Sequence, residues 1–384
     1  NGNVAVEVTR IVNVVDTTVP VITLTGESTV TIEVGSTYTD SGATALDNYD
    51  GDITSSIVTV NPVDTAVVGV YTVTYNVTDA NGNVAVEVTR TVNVVDTTVP
   101  VITLLGEATV TIEVGSTYTD AGATATDLSG EISVISTGTV DTSVVGTYTV
   151  TYNATDASGN EAAAVSRTVN VVDTTVPVIT LTGEATVTIE VGSSYTDAGA
   201  TALDNYDGDI TSSIVTVNPV DTDVVGVYTV TYNVTDTNAN AAVEVTRTVN
   251  VVDTTVPVIT LTGESTVTIE VESTYTDAGA TAEDNYDGDI TSSIVTVSTV
   301  DATTVGTHTV TYNVTDSNGN AAVEVTRTVN VVDTTVPVIT LTGESTVTIE
   351  VGSTYTDAGA TASDNYDGDI TSSIVTVSTV DATT

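Results

Sequence analysis

The sequence predicts an all-β protein, a tandem array of Greek-key β-sandwiches of about 80 residues each. Three observations predict it. Asp-Thr-Thr-Val-Pro recurs at Asp16, Asp96, Asp173, Asp253 and Asp333, at spacings of 80, 77, 80 and 80 residues, and a fixed period is the mark of a repeat architecture. Within each repeat Tyr71, Val73, Tyr75 and Val77 alternate with Thr72, Thr74, Asn76 and Thr78, the period of a half-buried strand. No stretch carries helical periodicity, and about seven short strands without a helix fit a small sandwich.

The complete repeats run 16–95, 96–172, 173–252 and 253–332. Residues 1–15 match the final strand of a preceding repeat, and 333–384 is a repeat cut short. The two ends do not make one whole repeat, because the segment 305–317 has no counterpart in either. They therefore read as cuts in a longer chain, and strand exchange between chains is the competing reading.

Taking the first repeat in order, Val21-Ile22-Thr23-Leu24 follows Pro20, a residue suited to a strand start. Residues 29–34 alternate Thr or Glu with Val or Ile, and Gly35-Ser36 turns the chain. Residues 38–46 lead into an acidic stretch, with Gly42 expected at a bulge. Residues 53–60 form the next strand, and the alternating segment from Tyr71 follows. Residues 79–83 make a hairpin loop, and 84–95 close the repeat. The run Asp64 to Tyr71 carries an acidic residue, a Gly and then a Tyr entering a late strand, like the tyrosine corner of Ig-like sandwiches. His308 replaces that Tyr in the fourth repeat and reads as a tolerated corner substitution.

Charge sets limits on function. The formal net charge is -46, the five basic residues are all arginines, and there is no cysteine. A basic nucleic-acid face is excluded, since phosphate contacts need Lys or Arg. Adhesion to anionic membranes is disfavoured, and no apolar run is long enough to insert into a bilayer. Without cysteine or lysine there are no disulfides, thiolate metal sites or Lys–Asn cross-links, so metal is the remaining candidate for a staple. Catalysis by a Ser/His/Asp set is excluded with His308 the only histidine, and Trp and Phe are absent, leaving no aromatic platform for a glycosidase. The Asn-x-Thr sequons at Asn76, Asn153, Asn233 and Asn313 fall mid-strand and read as unmodified.

The acidic stretch Asp47-Asn48-Tyr49-Asp50-Gly51-Asp52 returns at Asp204, Asp207 and Asp209, at Asp284, Asp287 and Asp289, and at Asp364, Asp367 and Asp369. The second repeat keeps only Asp127 and Glu131. Calcium takes several oxygen ligands, which such a turn supplies. The plain alternative is a solvated turn on a salt-adapted acidic surface, a reading that also covers Glu27, Glu33 and Glu87.

Topology favours calcium. If 21–34 runs down as one kinked segment, the strands from Tyr38, Ile53, Tyr71 and Val84 run up, down, up and down. Asp16, the Asp47, Asp50 and Asp52 loop and the hairpin carrying Asp79 and Asn81 then share one pole, against the preceding repeat. A β-hairpin between 21–24 and 30–34 would scramble this. The equivalent sets are Asp96, Asp127, Glu131 and Asp156; Asp173 with Asp236 and Asn238; Asp253 with Asp316 and Asn318; and Asp333. Unpaired, these carboxylates repel. With one carboxylate fewer, the second junction is expected to be weakest.

Asp-x-Thr-x-Pro, Tyr-Thr-Asp-x-Gly-Ala, Asp-Asn-Tyr-Asp-Gly-Asp-Ile-Thr, Gly-x-Tyr-x-Val-x-Tyr and Thr-Asp-x-x-Gly-Asn together resemble the bacterial surface Ig-like repeat family. The resemblance covers every complete repeat. The second departs by lacking the Asp50 equivalent, and the third has Ala239 for Gly. It implies Ig-like sandwiches in a large secreted or cell-surface protein such as an adhesin, with no enzyme activity. The expected role is a segment of an extracellular stalk or filament, stiffened by Ca²⁺ between neighbouring repeats of the chain, with other chains of a fibre as further partners. Each repeat adds about 40 Å, given strands near 27 Å long before loops. The competing role is an array of binding modules that meet glycan or a partner protein through Tyr49, Tyr206, Tyr286 and Tyr366.

Overall fold

The computed structural model describes residues 1–381. The first repeat forms β1 (Val21–Leu24), β2 (Thr29–Glu33), β3 (Ala43–Asp47), β4 (Gly51–Asp52), β5 (Val58–Val60), β6 (Gly69–Asn76) and β7 (Val88–Val95). One sheet has the order β1-β3-β4 and the other β2-β7-β6-β5. The same two-sheet pattern recurs in the second, third and fourth repeats. Among the described residues the only helical turns are three-residue 3₁₀ turns such as Thr54–Ser56. The chain divides into two compact bodies, one holding 1–175 and the other starting at Val176.

The kinked first segment is split between sheets. β1 pairs antiparallel with β3, Ile22 opposite Ala45, while β2 pairs parallel with β7, Val30 opposite Val92. The two do not form a hairpin, and the alternation of strand directions expected from the sequence holds. Inward positions of both sheets build a small core of Ile22, Ala45, Val73, Tyr75, Val77 and Val92.

Two local expectations are corrected. Residues 38–42 are not strand. Gly42 takes φ +73° and Asp40 turns into the domain, so β3 starts at Ala43. Residues 53–60 are not one strand either. Thr54 N donates to Asp52 Oδ1 at 3.0 Å and opens a 3₁₀ turn, which passes the chain from β4 in one sheet to β5 in the other. In the second repeat the deletion removes that turn, and Gly130–Ile132 runs almost directly into Val134–Thr137. Residues 1–15, expected as the final strand of a preceding repeat, carry no strand here. Their near-copy at 81–95 is held between β2 and β6, and 1–15 have no such neighbours.

Among the described residues the last repeat forms only its smaller sheet, Val338–Leu341, Ala360–Asp364 and Gly368–Asp369. Its last positions, 382–384, lie outside the described residues.

The arginines, read from sequence only for what they exclude, hold each core together. Arg90 shares the inward face of β7 with Val88, Val92 and Val94 and is 1% exposed. Its guanidinium donates to Asp40, to Tyr75 Oη at 3.1 Å, to Glu27 O at 2.9 Å and to Gly42 O at 3.2 Å. Tyr75 Oη in turn donates to Asp40 Oδ1 at 2.6 Å. Arg167, Arg247 and Arg327 repeat the pairing with Asp120, Asp197 and Asp277. Burial pushes the Asp40 carboxyl up, but hydrogen bonds from Tyr75, Gly42 N–H and Tyr38, with the Arg90 charge, outweigh it and hold it below its usual range. The tyrosine corner forms as expected, Tyr71 Oη donating to Val67 O at 3.0 Å. His308 occupies the corner with ring nitrogens 3.0 Å from Thr304 O and 3.1 Å from Thr299 O.

Candidate metal centre

The upper pole of a repeat is built by three short connections. Asp16 ends the segment before β1, Asp47 ends β3, and Asp79 opens the loop before β7. Carboxylate oxygens of the three lie within 4.8 Å of one another. The same holds for Asp96, Asp127 and Asp156, for Asp253, Asp284 and Asp316, and for Asp333, Asp364 and Asp367. Asp204 and Asp236 hold the matching positions in the third repeat, buried at 9% and 8% exposed, and Asp173 is buried at 6%.

Hydrogen bonds preform each site. Asp47 Oδ2 accepts from the backbone N–H of Tyr49 at 2.7 Å and of Asp50 at 3.0 Å. Asp79 accepts from Asn81 N, Asn83 N and Asn83 Nδ2 at 2.9, 2.7 and 2.7 Å. Burial pushes the Asp79 carboxyl up, and these bonds more than offset it. One oxygen stays unmatched. Asp47 Oδ1 is buried and accepts no hydrogen bond, and so are Asp204 Oδ1, Asp284 Oδ1 and Asp364 Oδ2. A buried anionic oxygen without a donor is costly. Beside two more carboxylates it fits a hard cation, which takes such oxygens directly.

Several residues expected at the site are placed elsewhere. Asp52, Asp209, Asp289 and Asp369 accept from Thr54, Thr211, Thr291 and Thr371 N–H, two residues on, and close a turn that leads into the 3₁₀ turn instead. Asp50 ties the two loops together, accepting Ala80 N–H at 2.8 Å; Asp207 and Asp287 do the same with Thr237 and Ser317. Only in the truncated repeat, whose sequence lacks that hairpin, does the matching Asp367 join the group. Glu131 pairs with Thr126 at the Asp52 position and stands outside its cluster. Asn81 and Asn318 contribute amide N–H donors to Asp16 and Asp253, at 3.3 and 3.0 Å, and not oxygens. Asn238 N donates to Asp236.

The second repeat differs. Asp127 accepts Leu128 N–H with one oxygen and faces the Ser129 hydroxyl with the other, so it lacks the orphan oxygen. Burial and the charges of Asp127, Asp156 and Glu33 push the Asp96 carboxyl up. Burial and Asp364 do the same to Asp333.

Glu33 corrects the reading of a solvated coat. It ends β2 at the opposite pole and accepts Thr97 N–H at 2.7 Å, the Thr97 hydroxyl at 2.9 Å and the Thr98 hydroxyl at 3.0 Å. Glu113, Glu190 and Glu270 grip Thr174, Thr254 and Thr334 alike. These bonds, led by the Thr174 N–H and the Thr334 hydroxyl, bring the Glu113 and Glu270 carboxyls down to about 2. The linker Asp96-Thr97-Thr98 is thus held at both ends: its threonines by Glu33 of the repeat before, and its aspartate by Asn160 of the repeat after, whose amide donates to Asp96 O at 3.0 Å. Glu recurs at the end of each β2 equivalent, five residues before Tyr, and that spacing was the available signal. Tyr49 is 73% exposed, whereas Tyr286, beside Tyr228 of the preceding repeat, is 36% exposed.

Known proteins share this pattern. A family model described as bacterial surface protein, Ig-like domain, matches residues 22–94, 102–171, 179–251, 259–331 and 339–384. A hyalin from Lytechinus variegatus is 37% identical over 375 residues, 90% of this chain and 70% of its own length. A hyalin from Strongylocentrotus purpuratus is 34% identical over 280 residues, 68% of this chain, and the chain covers only 23% of it. A lipoprotein structure from Bacteroides thetaiotaomicron aligns over 59% of this chain and 99% of its own at 16% identity, with a TM-score of 0.19 too low to carry an argument.

Proposed function

The chain belongs to the family of bacterial surface proteins with Ig-like domains, and from that membership and the doubly held linker we propose that it is a structural segment of an extracellular stalk whose junctions are stiffened by calcium. The family places it at the cell surface or outside the cell. The observation that carries the proposal is the orphan oxygen of Asp47, Asp204, Asp284 and Asp364, a cost that a hydrogen-bonded turn would not retain without a cation to meet it.

Asp16, Asp47 and Asp79 would hold the ion in the first repeat, and Asp253, Asp284 and Asp316 in the fourth. Bound there, the cation cancels like charges and ties the linker aspartate to two loops of the repeat that follows. Glu33 or Glu270 ties the threonines next to that aspartate to the repeat before. A linker fixed at both ends loses bending freedom, and a stiff array projects whatever its tip carries. The role is mechanical and needs no reaction. Calorimetric titration of calcium into chelator-stripped protein tests it: binding that is lost in Asp284→Asn at the fourth site supports it, and no binding heat ends it.

A further inference from the structure

We propose that Asn81 and Asn318 are sites of spontaneous deamidation, which adds a carboxylate to the first and fourth acidic clusters. Both precede glycine and both are exposed in the hairpin loop. The reaction is intramolecular. The backbone nitrogen of Gly82 attacks Asn81 Cγ, the Cγ–Nδ2 bond breaks, and Nδ2 leaves as ammonia, carrying the proton given up by the Gly82 nitrogen. A five-membered imide closes. Water adds to either imide carbonyl and opens the ring, leaving aspartate or isoaspartate, so the net change is one water consumed and one ammonia released.

The loop sequence admits this chemistry at two repeats and not at the others, and at Gly82 the attack must first break the hydrogen bond from its N–H to Asp79 O, 3.2 Å long. A side chain on the following residue obstructs the attacking nitrogen. Gly82 and Gly319 have none, and a Cβ at either would meet nothing within 4 Å, so the surrounding space is open. In the third repeat Asn238 precedes Ala239, whose methyl stands beside the nitrogen in a left-handed backbone, φ 71°. The second repeat has Ser158 at this position and no amide to lose.

The product lands on the cluster. Asn81 Nδ2 donates to Asp16 Oδ2 at 3.3 Å and Asn318 Nδ2 to Asp253 Oδ2 at 3.0 Å. Deamidation replaces each donor with a like charge, which repels its neighbour in the free protein. Beside a divalent cation the new carboxylate becomes a further oxygen ligand. That last consequence rests on the calcium reading; the modification itself does not.

The test incubates the full chain at mildly alkaline pH and follows Asn81, Asn238 and Asn318 by peptide mapping, with a synthetic peptide spanning 76–86 as the unfolded reference. The expected result is an amide-to-acid mass gain at Asn81 and Asn318, with isoaspartate among the products, while Asn238 keeps its amide. The proposal is overturned if the peptide converts and the two asparagines in the folded chain do not, or if Asn238 converts as fast. A mass gain at both sites with an unchanged calcium affinity keeps the modification and counts against the calcium reading.

Discussion

Removing the Asp40 carboxylate, by Asp40→Ala, strands the most deeply buried charge of the first repeat. Arg90 is 1% exposed and donates to five acceptors, of which Asp40 is the only anion. Stripping one partner from a buried pair costs about 3–5 kcal/mol, because the other is left uncompensated. A repeat of this size has a total stability of about 4–12 kcal/mol, so the variant loses a large share of it. Native-state hydrogen exchange reads the loss repeat by repeat, with the third and fourth repeats of the same chain as references. Core amides of Val73 and Val92 should exchange about a hundred- to four-thousandfold faster. The companion variant Asp40→Leu with Arg90→Met replaces the pair by apolar groups, which is often neutral. It should be more stable than Asp40→Ala. Exchange in Asp40→Ala within threefold of the parent, or a double variant less stable than the single, would refute the reasoning.

Asp284→Asn should make the fourth repeat indifferent to chelator, whereas the parent gains about 2.7 kcal/mol at calcium a hundredfold above Kd; thermal melting with and without EDTA checks it. The second repeat, whose Asp127 has no orphan oxygen, should release calcium first in a chelator titration followed by exchange. Because the folded carboxyl of Asp96 is raised, its penalty is full above that raised value and is relieved as pH falls through it, so the calcium-free second repeat should gain stability on mild acidification. Glu113 and Glu270 run the other way: brought down to about 2, they contribute above the ordinary Glu value and lose that contribution as pH falls towards about 2. Melting in EDTA between neutral pH and pH 2 should therefore rise before it falls. Glu270→Gln should lower the melting of the fourth repeat at neutral pH and speed exchange at Thr334 and Thr335, since it removes the carboxylate that their N–H groups and hydroxyls donate to.

What the sequence could show depended on whether a residue's role was local or shared. Strand alternation and the Asp-Thr-Thr-Val-Pro period are local, and they defined the sandwich and brought Asp16, Asp47 and Asp79 to one pole. Asp52 was assigned to that pole because spacing does not reveal that Thr54 N–H, two residues on, captures its carboxylate. Asn81 lies beside Asp16 as the sequence led one to expect, but which end of its amide faces that carboxylate depends on a neighbour 65 residues away. Arg90 could have been found: it stands in phase with Val88, Val92 and Val94, and a charge on an inward face demands a partner. Finding Asp40 as that partner required the fold, 50 residues off in sequence. Glu33 was read as solvated because its acceptor role depends on a linker that belongs to the next repeat.

The claim that calcium stiffens the junctions is tested most directly by small-angle scattering of the full chain, at constant ionic strength, in calcium and after EDTA. The account predicts that chelation broadens the distribution of interatomic distances and shifts the radius of gyration, and that returning calcium restores both. Superimposable curves, with melting equally unmoved, would contradict it and leave the acidic poles as solvated turns.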